Sequence, residues 1–151
     1  MPLDFASPSD PIDPGPLKKR IGYMLRLAQL AVLEQAIKTF EPFGLRPQEY
    51  GVLLLVEHAP GRNQSAIGQA LRVQRANFVG LIQELEERGL VRRSPGANDG
   101  RVRVLHLTRS GKALLARAKK ADAGLSRQLA RKLDGEHRAC LAHLRTLADL
   151  G

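Results

Sequence analysis

The stretch QSAIGQALRVQRANFVGLIQELEERG, residues 64–89, predicts two helices joined by a tight turn. Apolar side chains recur at helical spacing in residues 64–71 and again in residues 74–88. Only residues 72–73 remain to connect the two segments. Gly89 follows the second helix and suits the left-handed conformation in which many helices end. This order predicts a helix-turn-helix.

The second of these helices has two different faces. One face would pack on the preceding short helix, and small residues keep the other slim enough for a DNA major groove, which is about 12 Å wide. Any surface helix has a polar face, but the short helix before it and the basic hairpin after it favour a recognition helix. The apolar stripe is Phe78, Leu81, Ile82 and Leu85, and the outward face with the first turn is Gln74, Arg75, Ala76, Asn77, Val79, Gly80, Gln83 and Glu87.

A basic hairpin is predicted after this helix. Residues 90–94 form a short extended run, residues 95–100 are rich in turn-forming Pro, Gly, Asn and Asp, and residues 101–107 begin by alternating arginine with valine. Arginine at a hairpin tip can enter a narrow minor groove, where the potential is most negative. Surface strands also carry arginine for solubility, but four around one hairpin favour a DNA-binding wing. They are Arg92, Arg93, Arg101 and Arg103.

Further helices are predicted on both sides of this centre. A long helix begins at Leu17 and stops before Pro42, and a second helix covers residues 46–58. Residues 108–133 predict another long helix, and Asp134 is expected to cap the last one. The first helix is apolar almost all round, so it needs burial on most sides, at the centre of the fold or in a dimer interface.

The predicted fold is mainly α with a small β wing, a winged helix-turn-helix with a helical dimerisation region. We divide the chain into four parts. They are a flexible proline-rich arm (1–16), an N-terminal dimerisation helix (17–45), a winged helix-turn-helix DNA-binding lobe (46–107) and C-terminal dimerisation helices (108–151).

The net charge of this 151-residue chain is +9, and its distribution is uneven. The predicted arm holds three acidic residues and no base, so residues 17–151 carry +12. Residues 62–117 hold eleven basic and four acidic side chains, a surplus of +7 around the predicted recognition helix and wing. This density is what a phosphate backbone requires. The charge alone also allows an anionic membrane as partner, but its location favours DNA.

Several classes of protein are excluded by composition. No apolar run approaches the 18 residues of a membrane span, and the N-terminus lacks the bases and apolar block of a signal peptide. We therefore expect a cytoplasmic protein with no membrane partner. A single cysteine excludes an internal disulfide framework and a cysteine-based zinc finger. No phosphate loop, nucleophile elbow or zincin motif is present, so neither an enzyme nor a cofactor is expected.

The single cysteine, Cys140, has two interpretations. It belongs to an apolar stripe with Leu141, Leu144 and Leu147, which predicts a buried and inert thiol. His137 is spaced to share a metal ion with it, but no cluster of acids or histidines completes a site. We expect no metal.

Three motifs at a specific spacing resemble those of the MarR family of transcription factors, a resemblance that covers roughly residues 17–150. They are LEERGLVRR at residues 85–93, NDGR at residues 98–101 and LTRSG at residues 107–111. LEERGLV alone is common among winged helices. A wing that ends in Asp-x-Arg and is followed at this distance by LTxxG is a much more specific signal of the family.

The resemblance implies a homodimer built from the first and last helices, bound to palindromic double-stranded DNA, often with a small-molecule pocket between the dimer and DNA-binding lobes. It implies a repressor, with Arg101 at the wing tip and Asp99 orienting it. Residues placed where the family reads bases or touches phosphate are Gln64, Ser65, Gln74, Arg75, Ala76, Asn77 and Val79, and the residues themselves add Gln83, Arg93 and Arg103.

The sequence departs from the family pattern at two places. Gly100 stands where the family wing commonly has an arginine. Val79 and Gly80 stand where threonine and a basic residue, Arg or Lys, are frequent. Each change removes a phosphate or base contact. A non-specific DNA-architecture or RNA-binding winged-helix protein therefore stays an alternative, as does a winged helix that binds proteins.

A small-molecule effector is also expected, although its identity is not fixed by any residue. The family often senses aromatic acids or their coenzyme A thioesters. The same side chains could instead make only core and dimer contacts. The candidates for lining the pocket are Tyr23, Met24, Arg26, Leu27, Tyr50, Leu54 and His58.

Overall fold

The computed structural model describes residues 11–97 and 99–149. Residues 1–10 of the predicted arm, together with Asn98 of the predicted turn, lie outside the described part. The chain divides into two compact units, residues 1–34 and residues 35–151. No helix among the described residues is long and apolar enough to cross a membrane.

Among the described residues, the fold consists of six α-helices and a two-stranded antiparallel sheet. Two short 3-10 helices, Leu17–Lys19 and Glu41–Phe43, flank the first α-helix. The elements in chain order are α1 (Ile21–Phe40), α2 (Pro47–His58), α3 (Gln64–Ala70), α4 (Arg75–Glu87), β1 (Val91–Pro95), β2 (Arg103–Leu107), α5 (Arg109–Lys132) and α6 (His137–Ala148).

The first unit contains most of α1. We expected this helix to begin at Leu17, but Arg20 has an extended backbone (φ −101°, ψ 124°) that separates the 3-10 turn from α1. The helix is apolar and largely exposed to solvent. Its exposed apolar side chains in this unit are Ile21, Met24, Leu27, Leu30, Val32 and Leu33.

The core of the second unit lies between α2, α4, the sheet and α5. Leu53 of α2, Ile82 and Leu85 of α4, Leu105 of β2 and Leu115 of α5 are completely buried. Burying side chains of this size stabilises a fold by about 1.5–3 kcal/mol each. The apolar stripe predicted for α4 is confirmed, because all four of its residues are buried.

The helix-turn-helix is closed by a cap and a tight turn. Asn63 is the N-cap of α3, and its Oδ1 accepts a hydrogen bond of 2.7 Å from the backbone N–H of Ala66. Arg72 adopts a left-handed backbone (φ 51°) between α3 and α4. The predicted tight turn at residues 72–73 is therefore present, and it is made by a residue other than glycine.

The wing is more extensive than a hairpin. Val91 pairs with Leu107 and Pro95 with Arg103 at the two ends of the β1–β2 ladder. The segment before α3 pairs with β2 as well, since Gly61 donates to the carbonyl of Leu105 over 3.2 Å and Leu105 donates to the carbonyl of Arg62 over 3.0 Å. This pairing fixes the wing to the start of the helix-turn-helix.

The start of α5 packs closely on residues 89–90, the segment between α4 and β1. Thr108 caps α5 as predicted, because its Oγ1 accepts a hydrogen bond of 3.0 Å from the N–H of Gly111. The same hydroxyl group donates to the carbonyl of Gly89 over 2.5 Å. A Cβ atom at Gly111 would lie 2.0 Å from the carbonyl oxygen of Leu90. Only glycine allows the wing and α5 to approach this closely.

The prediction that Asp134 caps the last helix is wrong. Asp134 (φ 45°) and Gly135 (φ 87°) both have left-handed backbones and turn the chain between α5 and α6. The cap position falls on Glu136, whose side chain makes no capping hydrogen bond. An N-cap side chain must directly precede its helix, and the two-residue turn moves Asp134 out of that position.

Candidate nucleic-acid interface

The N-terminal half of α4 presents an exposed polar surface. Gln74 is its N-cap residue, and Arg75, Ala76 and Asn77 form the exposed first turn. Val79 is 44% exposed one turn later. A Cβ atom at Gly80 would meet nothing within 4 Å, so the surface beyond the first turn is low and open. A helix with this profile can approach base edges closely.

A cleft of about 400 Å³ opens between α3, α4 and β1. It is lined by five of the residues predicted to contact DNA, namely Gln64, Ser65, Arg75, Val79 and Arg93. Gly68 and Phe78 form part of its wall, where a Cβ atom on the glycine would lie 2.9 Å from the phenylalanine ring. The cleft therefore places polar groups of both helices and the wing on one surface.

The acidic side chains on the C-terminal half of α4 are paired. Glu84 binds Arg46, and Oε2 of Glu86 lies 2.8 Å from Nε of Arg93. Gln83 donates a hydrogen bond of 3.0 Å to Glu87. The two ion pairs offset part of the repulsion that carboxylates would exert on phosphate, whereas the neutral amide of Gln83 leaves the charge of Glu87 in place. These contacts also occupy Arg93 and Gln83, two of the expected DNA contacts, with partners on the protein itself.

The wing tip is organised by Asp99. Its Oδ1 accepts a hydrogen bond of 2.9 Å from the backbone N–H of Arg101, so the carboxylate fixes the backbone at the tip. The loop is closed by a hydrogen bond of 2.8 Å from Gly96 to the carbonyl of Val102. Arg101 and Arg103 are exposed. Both guanidinium groups are accessible to a phosphate backbone.

Glu49 is a buried carboxylate that was not among the residues predicted from the sequence. Only 2% of it is exposed, at the start of α2. Its Oε2 accepts the backbone N–H of Arg46 over 2.6 Å, and its Oε1 accepts a guanidinium N–H of Arg88 over 2.9 Å. The hydrogen bond to Glu49 raises the pKa of Arg46 above its usual range. Glutamate three residues after the cap position is the signal that could have found it.

The residues expected to line a ligand pocket lie on two helices. In the first unit, α1 carries Tyr23 and Arg26 together with Met24 and Leu27, which are exposed. In the second unit, Leu54 packs against the core and His58 is the exposed last residue of α2. Tyr50 is 7% exposed, and its ring stacks on Phe40 with centroids 4.3 Å apart.

The thiol of Cys140 is free and partly buried. No group of three or more His, Cys, Asp or Glu side chains that could hold a metal ion occurs within residues 11–97 and 99–149.

Comparison with known proteins points to DNA-binding regulators. The sequence model of the MarR family matches residues 43–102. A putative transcriptional regulatory protein for the hcr operon of Thauera aromatica is 32% identical over 131 residues, which cover 86% of this chain and 79% of that protein.

Two solved structures of the transcriptional repressor CouR are similar over almost the whole chain. The one bound to a 23-mer DNA duplex has a TM-score of 0.86 and 40% identity, and covers 92% of this chain and 99% of that chain. The one bound to p-coumaroyl-CoA has a TM-score of 0.84 and 38% identity, and covers 93% of this chain and 100% of that chain.

Proposed function

Because this chain belongs to the MarR family, we propose that it is a homodimeric repressor that binds a palindromic operator and releases it when an aromatic acid or its coenzyme A thioester binds. The similarity to CouR supports the proposal most directly. The two similar CouR structures have that repressor bound to a DNA duplex and to p-coumaroyl-CoA. The chain acts in the cytoplasm, by binding and not by catalysis.

Sequence-specific contacts with the DNA bases are assigned to the first turns of α4. Arg75 and Asn77 are exposed there and have the side chains that pair with guanine and adenine. Gln64, Ser65 and Arg101 would contact phosphate or the minor groove and set the register. The remaining candidates are Gln74, Ala76, Val79, Gln83, Arg93, Asp99 and Arg103.

The dimer interface is assigned to α1 and α6. The apolar side chains of α1 named above are exposed, and in the second unit α6 also exposes Leu141 and Leu144. Apolar surface of this extent on helices is typical of a protein–protein interface. Light scattering at micromolar concentration should give twice the chain mass of 16.6 kDa. A monomeric mass would overturn this assignment.

Effector-binding residues are proposed separately for α1 and for α2. On α1, Arg26 has a positive charge suited to an anionic ligand, and Met24 and Leu27 offer apolar surface, whereas Tyr50, Leu54 and His58 are the candidates on α2. Pockets for small molecules combine an apolar lining with a few polar groups in this way. Replacing Arg26 with alanine should weaken the response to an anionic effector and leave operator affinity unchanged.

The decisive experiment measures DNA binding and its reversal. The purified protein selects a preferred duplex from a random-sequence library, and fluorescence anisotropy compares this duplex with a scrambled one of the same composition. We expect binding to the selected duplex that is at least about 10³-fold tighter. Adding p-coumaroyl-CoA or p-coumarate, a thioester and an acid of the proposed class, should weaken it by at least about tenfold for one of the two, with free coenzyme A as the control.

The possible results separate the alternatives. Binding that is indifferent to sequence and falls steeply with salt would identify a non-specific nucleic-acid-binding protein. No binding at physiological salt would favour a protein-interaction module. Specific binding that neither p-coumaroyl-CoA nor p-coumarate reverses would overturn the proposed effector class and leave the DNA-binding assignment in place.

A further inference from the structure

Glu49 is the charged residue that lies in the core of the described part of the chain. Removing a carboxylate from water is costly unless hydrogen bonds and opposite charges compensate it. Arg46 and Arg88 provide that compensation, with guanidinium–carboxylate distances of 3.2 Å and 2.9 Å. A cap for α2 needs only the backbone hydrogen bond, so the buried charge and its two arginines require another explanation.

Both arginines connect this carboxylate to α4. Arg88 is the C-cap residue of α4, and its second guanidinium nitrogen donates to the carbonyl of Gly44 over 2.7 Å. Arg46 binds Glu84, one turn before the end of α4, as well as Glu49. The C-terminal turn of the recognition helix is therefore held at two points by one side chain of α2.

The other end of the same helix carries the residues assigned to base reading. Because α4 has 13 residues, its ends lie about 20 Å apart. A tilt of about 5° at the fixed end would move the N-terminal side chains by about 2 Å. Hydrogen bonds to base edges do not survive displacements of this size, whereas contacts between flexible arginines and phosphate do.

We propose that Glu49 is a positioning residue, which sets the orientation of α4 through Arg46 and Arg88 and thereby determines how well the protein distinguishes its operator from other DNA. This inference rests on the proposed function. Glu49 itself lies in the core and does not touch DNA. Its loss would change the ratio of specific to non-specific affinity more than it changes non-specific affinity.

The test replaces Glu49 with glutamine. Glu49→Gln keeps an oxygen that can accept the Arg46 backbone N–H, but it removes the charge that holds both arginines. Anisotropy measures the affinity for the selected duplex and for the scrambled duplex at a temperature where circular dichroism shows full folding. We expect the ratio of the two affinities to fall about tenfold, with little change for the scrambled duplex.

Glu57→Gln is the matched control. Glu57 is on the same helix and pairs with Lys119 of α5 over 2.5 Å, so the substitution removes one charge and one ion pair without touching α4. Its affinity ratio should equal that of the unmodified protein. Glu84→Gln is a second variant at an exposed position, which tests the link if Glu49→Gln does not fold. It should lower the ratio about threefold.

An unchanged ratio in a folded Glu49→Gln protein, or in Glu84→Gln when the first variant does not fold, would overturn the inference. An equal fall in Glu57→Gln would also overturn it, because the effect would then come from charge alone. If the unmodified protein itself does not distinguish the two duplexes, the proposed function fails instead.

Discussion

The hydroxyl group of Tyr50 donates a hydrogen bond of 3.0 Å to Oδ2 of Asp122, and this contact joins α2 to α5. Burial is the main cause that raises the pKa of Tyr50, and the hydrogen bond to Asp122 adds to it. The phenol therefore stays protonated in the folded protein at pH values where a free tyrosine, with a pKa of about 10, loses its proton. Folding stability must depend on pH in that range.

Substitution of Tyr50 by phenylalanine should reveal this dependence. The folded pKa is higher than the unfolded one, so the contribution of Tyr50 to stability is complete below about pH 10 and declines above it. At pH 7 we expect Tyr50→Phe to lower the free energy of unfolding by about 1 kcal/mol, the value of one hydrogen bond. The difference from the unmodified protein should shrink above pH 10 in urea unfolding. A difference independent of pH would contradict this account.

Gly111→Ala should destabilise the protein. The added methyl group would overlap the Leu90 carbonyl oxygen, so α5 or the wing must shift. Overpacking of this kind costs about 1–3 kcal/mol, and we expect about 2 kcal/mol from urea unfolding. Gly124→Ala is the control, because position 124 lies in the same helix and has nothing within 4 Å of a Cβ atom. It should stabilise the protein by up to about 1 kcal/mol, and equal effects at both positions would refute the packing argument.

Arg101→Ala should weaken DNA binding to all sequences alike. An exposed guanidinium at the wing tip that meets phosphate or the minor groove contributes through charge, and its loss should cost about fivefold in affinity per protomer. The slope of log affinity against log salt should fall by about one per protomer. Arg127→Ala, an exposed arginine of α5, is the control that should leave the slope unchanged. An unaltered slope for Arg101→Ala would show that the wing does not touch DNA.

Gly100→Arg should strengthen DNA binding. A Cβ atom at this position meets nothing within 4 Å, so the wing accepts a side chain there without rearrangement. An added cation beside Arg101 should raise affinity several-fold and steepen the salt slope by about one per protomer. Gly100→Ala separates the effect of the charge from that of the backbone and should change neither quantity. A slope that stays constant in Gly100→Arg would place residue 100 away from phosphate.

Much of the fold follows from local patterns in the sequence. The stripe of Phe78, Leu81 and Ile82 predicted the buried face of α4, because helical spacing alone determines which side chains share a face. Thr108 was found as a cap from residue type and position. Asp134 met the same criterion and failed, because it and Gly135 adopt left-handed backbones that turn the chain before α6, and Gly135 is the residue type that signals such a turn.

Contacts between distant residues were not predictable in the same way. The pairing of residues 61–63 with β2, and the bonds from Glu49 to Arg88 and from Glu86 to Arg93, join positions that only the folded chain brings together. The sequence identified Arg93 as a basic residue of the wing, but it did not show that Arg93 forms an ion pair with Glu86 of α4. Charge counts predict the sign of a surface and not which of its charges are free.

The open space at Gly80 has a use in protein engineering. A new side chain there would project from the assigned reading face of α4 without displacing any neighbour, and replacing glycine inside a helix gains up to about 1 kcal/mol for alanine. A library of all amino acids except proline at position 80 can thus be screened without first repairing stability. Variants that prefer altered operators would bind separate promoters in one cell with little cross-recognition.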